Sequence, residues 1–511
     1  RVVALCCLLA AVTGHRQKRT YPARCYPGTH CWPSHEAIAE LDTATAGSLF
    51  QPSDASYRSN VLYVNQRVTG HPGLVFLAAS ESDVQKGVLF ARKYNLLLLV
   101  RGANAQTLDY TGRFTVDGGF VIDLSLMNAV SPTSLVFSLD AESVTVQAGA
   151  KWQDVYNQID TSRIVVGTNP SDSVYETTLT GGISPISRSL GLVVDNLLSA
   201  RVVLADGRMA TLTSTGATIE GADGKVVTTD DAELFYALKG GGFNWAVPVS
   251  FTFRLFFPPN QVAYVDGLYN LYIDGTFLGR DALNFVLREI VNLPTQWGGY
   301  IMIDGSPSAV DPADKVRERL DVNILDNYRQ YRDASGERDV FDSGNNAYVF
   351  NSLLDRNVFD NATRLSNLVE GLLSVVNTPS VNSNKRCIGR LLGGAISSAS
   401  RDFDAVSENL RTATMSLTCG LTWNGSILKD SFLVDDAIDS ADSVSKMFGD
   451  GVDPRFAAED LPSWKSDLYG SKYKLLLEVK SRWDVDNFLW SHNGIASDFH
   501  LDCRRGRCRH P

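Results

Sequence analysis

The chain has 511 residues, 44% of them hydrophobic and 20% charged, the make-up of an ordinary globular protein. That length exceeds a single hydrophobic core and predicts two or three lobes. Its 57 acidic against 47 basic side chains leave a net charge of −10, which argues against non-specific binding to nucleic acid or to an anionic membrane surface.

In chain order, Val2 to Val12 form an apolar run behind Arg1 and before Thr13-Gly14. This reads as a secretory signal peptide over residues 1–20, too short to span a bilayer. An N-terminal arm over 21–60 follows, with a Pro- and Cys-containing loop from Cys25 to Pro33 and helical spacing from His35 to Leu49. From Leu74 to Val100 the order is strand, helix, strand. Ser80 is placed to cap the helix that starts at Glu81, and Val84, Val88 and Ala91 form its apolar side. Further strands are expected at 119–124, 143–148, 197–205 and 251–255, and helices near 151–161 and 230–238. Asp206-Gly207 and Asp223-Gly224 are hairpin signals. Past Pro258-Pro259 the texture changes to long amphipathic stretches, around 281–293 and 362–376, between alternating strands. This predicts a second α+β lobe over 257–460, a returning segment over 461–500 with a helix near Tyr473 to Lys480, and a basic tail over 501–511.

Beyond Cys6 and Cys7 there are Cys25, Cys31, Cys387, Cys419, Cys503 and Cys508. An even number fits disulfides on a secretory route, with Cys25–Cys31 and Cys387–Cys419 as the expected local pairs, although spacing does not fix connectivity. No C-x-x-C pair is present, and no metal site is expected. Asn361-Ala362-Thr363 and Asn424-Gly425-Ser426 are glycosylation sequons. There is no G-x-S-x-G elbow and no H-E-x-x-H, which disfavours hydrolase chemistry.

Three segments carry a resemblance to a known family. Gly191 to Val203 resembles the strand G-L-x-x-D-N-x-x-S-A-x-V-V. Asp231 to Trp245 resembles D-A-E-L-F-W-A-L-R-G-G-G-G-N-F. Tyr469 through Asp484 resembles the closing helix Y-G-x-N-Y-x-R-L-x-x-V-K-x-x-x-D-P. Together they look like the berberine-bridge-like branch of the FAD-linked oxidases, the vanillyl-alcohol-oxidase superfamily. The leader C-x-P-G-x-x-C-W-P-S is similar to secreted fungal members. The resemblance implies an α+β chain: a PCMH-type FAD-binding domain of two α/β subdomains over 61–256, and an α+β substrate domain with an antiparallel sheet. It implies FAD as cofactor and a small-molecule substrate, with molecular oxygen as a candidate second substrate.

The flavin loops depart from that pattern. The first usually reads R-x-G-G-H, its histidine bonded to the flavin. Here Arg101-Gly102-Ala103-Asn104-Ala105-Gln106 puts Ala105 at that histidine. In the second, C-P-T-V-G-x-G-G-H-x-x-G-G-G, Asn169 stands at the cysteine of bicovalent members, and Ser173, Tyr175 and Glu176 replace glycines. No histidine lies between residues 72 and 491, so both covalent anchors are missing together. Consecutive backbone N–H groups in a tight turn can still cradle a pyrophosphate, and glycine allows close approach. Arg101, Gly102, Ala103, Asn104, Ala105, Gln106, Thr180, Gly181, Gly182, Ser184 and Val247 are the implied cofactor-binding residues. Glu176 would repel a pyrophosphate if it points inward, and not if it faces solvent.

Asp304, Arg390 and Glu459 of the second lobe are the candidate acid/base residues. Glu459 falls where secreted members read Y-x-N-E, with Phe456 and Ala458 replacing the Tyr and Asn. The leading expectation is an FAD-dependent oxidoreductase of a small organic molecule in secondary metabolism, its FAD held non-covalently. A non-redox isomerase or cyclase, with flavin structural or lost, is the alternative, and a non-catalytic binding protein the third. The substrate and the oligomeric state are not legible.

Overall fold

The computed structural model describes residues 24–57, 65, 70–103, 111–133, 142–221, 223–269, 272–273, 276–277, 279–305, 318–335, 346–377, 383–400, 402–424, 451–457, 461–499, 503–504 and 507–508. The expected signal peptide, the loop positions Asn104, Ala105 and Gln106, and Glu459 lie outside the described residues.

In the first lobe, α1 (His35–Ala44) starts at Ser34, whose hydroxyl accepts the Ala37 N–H. The helix stops at Ala44, five residues short of the expected Leu49, because Ser48 to Phe50 pair in a sheet instead. That sheet has β1 (Ser48–Phe50), β2 (Leu74–Leu77), β3 (Leu98–Arg101) and β4 (Phe120–Asp123), in the order β1-β2-β4-β3. The central strand β4 is parallel to both β2 and β3. Their nearly uninterrupted apolar runs suit parallel strands covered on both faces. The crossover helix α2 (Glu81–Lys93) is capped by Ser80, with Glu81 and Asp83 in its first turn and Arg92 and Lys93 in its last. Both ends thus complement the helix dipole. Val84, Val88 and Ala91 are fully buried.

A second sheet contains β5 (Val130–Thr133), β6 (Ser143–Gln147), β7 (Leu197–Val203), β8 (Met209–Thr213), β9 (Gly216–Glu220), β10 (Val226–Thr229) and β11 (Val247–Arg254). Its order is β10-β9-β8-β7-β11-β6-β5, antiparallel throughout. Gly207 and Gly224 turn the two expected hairpins at φ of 87° and 76°, where glycine carries no Cβ penalty. Between the strands run α3 (Trp152–Gln158), α4 (Val174–Leu179) and α5 (Glu233–Leu238).

In the second lobe, β12 (Val262–Tyr269) pairs with β16 (Glu318–Leu325), and β13 (Tyr272–Ile273) with β14 (Thr276–Phe277). The main sheet is antiparallel, β15-β18-β19-β17, from β15 (Tyr300–Asp304), β17 (Asn346–Leu354), β18 (Ser383–Leu391) and β19 (Met415–Trp423). One face packs on α6 (Gly279–Ile290) and α7 (Ala362–Asn377) through Leu287, Leu368, Leu372 and Leu417. The other carries Tyr300, Met302, Val349 and Ile388. Disulfides join Cys25 to Cys31 and Cys387 to Cys419.

The chain then returns to the first lobe. Lys480, in α8 (Tyr473–Trp483), donates to Asp484 at 2.6 Å and to the Leu489 carbonyl at 2.8 Å, and also to the Asn244 carbonyl. Leu489 lies beside Leu98 of β3 in a parallel bridge. Among the described residues no helix is long and apolar enough to cross a membrane, and no cluster of three metal-ligating side chains occurs.

Candidate cofactor site

The first loop leaves β3 at Arg101. Its Nε donates to Asp123 Oδ2 at 2.6 Å, and both side chains are buried. The two residues are register partners at the ends of parallel β3 and β4, so the sheet fixes where the turn begins. The next amide, Gly102 N–H, donates to Glu176 Oε1 at 3.0 Å. A Cβ on Gly102 would lie 2.3 Å from Ser173 Oγ and 2.7 Å from Tyr175 Cβ. Glycine is therefore required here because the second loop presses directly on the turn. Ala103 is buried beside it.

The second loop opens with Asn169, whose Oδ1 accepts from the Ser171 amide and hydroxyl at 3.0 and 2.8 Å. This Asx turn feeds α4, which carries Tyr175 and Glu176 in its first turn. Of the two orientations open to Glu176, the carboxylate takes the inward one. Thr180 ends the helix with its hydroxyl on the Glu176 carbonyl at 2.8 Å. Gly181 and Gly182 follow at φ of 106° and 71°. A Cβ on Gly181 would meet Leu192, Val406 and Leu410, and one on Gly182 would collide with Val193 at 2.5 Å. Gly182 is thus required by close packing, whereas Gly181 meets only ordinary contacts and is favoured by its positive φ. The Ser184 amide donates to Ser187 Oγ at 2.9 Å, and Val247 is a fully buried partner of Val203 at the start of β11.

Tyr175 is 0% exposed. Its ring stacks on Phe243, centroids 5.9 Å apart and planes at 23°. Phe114 meets Phe243 edge-on at 4.9 Å, and the Arg113 guanidinium lies over the same ring at 5.0 Å. The Tyr175 hydroxyl has no hydrogen-bond partner among the described residues. Burial, helped by the neighbouring Glu176 charge, holds its pKa well above the usual value. Phe243 stands at the fourth glycine of the G-G-G-G-N pattern, behind Gly240, Gly241 and Gly242. It was not among the expected site residues, although a bulky ring in that position was the available signal. Nearby, His492 is fully buried, its Nε2 3.1 Å from the Thr115 carbonyl and its ring edge-on to Trp490. Burial pushes its pKa down to about 4.

The two described second-lobe candidates, Asp304 and Arg390, are not brought together. Asp304 Oδ2 accepts two N–H groups of Arg386, at 2.7 and 3.1 Å. Arg390 pairs in register with Tyr300, four residues along β15 from Asp304, which separates the two positions by roughly 13 Å. The Arg390 guanidinium lies 5.7 Å from the Phe456 ring, and that of Arg455 lies 5.1 Å from it. Arg455 pairs with Asp453 at 3.2 Å and with Asp172 of the second loop at 3.7 Å. Tyr300, Met302, Val349, Ile388 and Phe456 form an apolar cluster at that junction.

Comparison with known proteins places this geometry. Residues 72–213 match the family description "FAD binding domain", and residues 456–496 match "Berberine and berberine like". The chain thus carries an FAD-binding-domain match and, separately, a berberine-like match near its C-terminal end. An FAD-linked oxidoreductase of Arthroderma benhamiae is 22% identical to this chain over 94% of it and 97% of the relative. One from Aspergillus ruber is 32% identical over 35% of this chain, a stretch that spans about a third (32%) of that relative's length. Among solved structures, a VAO-type flavoprotein of Myceliophthora thermophila C1 superimposes with a TM-score of 0.73 at 18% identity, covering 95% of this chain and 99% of that one. The fold is therefore that of the VAO-type flavoproteins.

FAD is the cofactor that this fold and the FAD-binding-domain match imply, and the described part of the cradle does not fit it. The Gly102 amide is already donated to a carboxylate, and the space beside it is filled by Ser173 and Tyr175. A phosphate brought to this turn would meet Glu176. Two like unit charges about 4 Å apart repel by on the order of 4 kcal/mol near a protein surface. A charged hydrogen bond from one amide returns only about 1.5–3 kcal/mol.

Proposed function

We propose that this protein, with its berberine-like segment, acts on a small organic molecule between its lobes by acid/base rather than hydride chemistry, without a bound flavin. The observation that carries the reading is the Glu176 carboxylate on the Gly102 amide, backed by Tyr175 in the space beside it. The Tyr300, Met302, Ile388 and Phe456 cluster offers an apolar wall, and Arg390 a fixed positive charge against it. Double-bond isomerisation or cyclisation needs an oriented substrate and stabilisation of the negative charge that develops as its proton passes to water and returns; the wall orients, and the permanently charged Arg390 stabilises. Two disulfides and the exposed Asn361 sequon support a secretory setting, and a secondary-metabolite substrate is part of the same proposal.

A second reading is favoured by the names of the relatives, which are FAD-linked oxidoreductases. It is an oxidase whose FAD is dissociable and whose second substrate is molecular oxygen. Oxygen uptake separates the two. With a panel of small unsaturated metabolites, the acid/base reading expects isomeric products of unchanged mass and no oxygen consumption. Oxygen uptake that needs added FAD, with products two mass units lighter, would sink it.

A further inference from the structure

Tyr175 and Phe243 come from separate segments, α4 and the glycine run before β11, yet they stack on each other. Ser173 and Glu176 belong to the same patch, one filling the space beside Gly102 and the other accepting its amide proton. All four stand where the resembling patterns have glycine, three in the second flavin loop and Phe243 in the glycine run before β11. Four independent losses of glycine would leave side chains pointing in unrelated directions. Here they fit one another, and Phe114 and Arg113 complete the cluster around Phe243.

We infer that Ser173, Tyr175, Glu176 and Phe243 form an internal plug that takes the place of the dinucleotide. The aromatic rings supply the apolar filling, and the Glu176 carboxylate supplies the acceptor that a turn amide otherwise gives to a phosphate. The inference deepens the flavin-free reading and rests on it. Its consequence is that the chain reaches its folded state without a cofactor and that glycine at these positions reopens a flavin site.

The test uses the full-length protein with Ser173→Gly, Tyr175→Gly, Glu176→Gly and Phe243→Gly combined. FAD binding is read by fluorescence quenching, and Tm is measured with and without FAD. The plug predicts no FAD-dependent Tm shift in the unaltered protein. It predicts a lower Tm in the glycine variant, partly restored by FAD, and a gain in FAD affinity of at least tenfold. If the unaltered protein binds FAD as tightly as the variant, both the plug and the flavin-free reading fall. If neither binds and the variant melts like the unaltered protein, the plug alone falls. Should the glycine variant not fold, Tyr175→Leu and Phe243→Leu decide, singly and together. Tm losses that are less than additive in the double variant support the plug, and additive losses overturn it.

Discussion

At the scale of single residues, Tyr175 separates packing from polarity. Its ring is buried against Phe243, while its hydroxyl has no partner among the described residues. Removing an unsatisfied buried hydroxyl releases a desolvation cost, whereas removing a buried ring leaves a cavity. Tyr175→Phe is therefore expected to leave stability unchanged or raise it by about 1 kcal/mol, and Tyr175→Ala to lower it by about 3–5 kcal/mol. Denaturant midpoints of the two variants check this, and a destabilised Tyr175→Phe would contradict it. His492 makes a pH prediction. Its pKa falls from 6.5 to about 4 on folding because burial disfavours the imidazolium. Between those values the unfolded chain binds the proton and the folded chain does not, so stability rises with pH across that window. About 3 kcal/mol present above pH 6.5 is lost as the pH falls to 4. Melting curves of His492→Gln should be flatter over that window. The missing anchors at Ala105 and Asn169 were readable from the sequence. The direction of Glu176 was not, because a carboxylate beside a glycine turn serves equally well at the surface until the opposing loop is in place.

At the scale of elements, Arg411 ties the lobes together. It is fully buried, donates to Asp195 at 2.6 and 2.8 Å and to Asp404 at 2.6 Å, and lies near Lys472, which donates to the Asp404 and Val406 carbonyls. Asp195 comes from the first lobe, Asp404 and Arg411 from the second, and Lys472 from the returning segment. Removing one partner of a buried ion pair leaves an uncompensated charge, so Arg411→Met is expected to cost about 3–5 kcal/mol. Adding Asp404→Leu to it should recover part of that loss. A double variant less stable than Arg411→Met, measured by chemical denaturation, would refute the assignment. The helices were legible because their 3.6-residue period and caps are local: Ser80, Glu81 and Val84 announce α2 without help from the rest of the chain. The insertion of β11 between β7 and β6 was not, because strand order is decided by contacts between distant segments. Asp304 and Arg390 illustrate the same limit, since register along β15 and β18 keeps them apart.

At the scale of the whole molecule, a flavoprotein fold is retained while Ser173, Tyr175 and Glu176 pack against the described part of its first loop. The fold was legible from three ordered motifs spread over most of the chain. The contact between Tyr175 and Phe243 was not, because it joins segments far apart in the sequence. Stability should then be independent of flavin, because a ligand that does not bind the native state cannot raise Tm by mass action. The most direct measurement is the visible absorption spectrum of the purified full-length protein, combined with its melting temperature in excess FAD. The expected result is a colourless folded protein whose Tm does not move. Stoichiometric flavin released by acid, or a Tm that climbs with FAD concentration, would contradict the account.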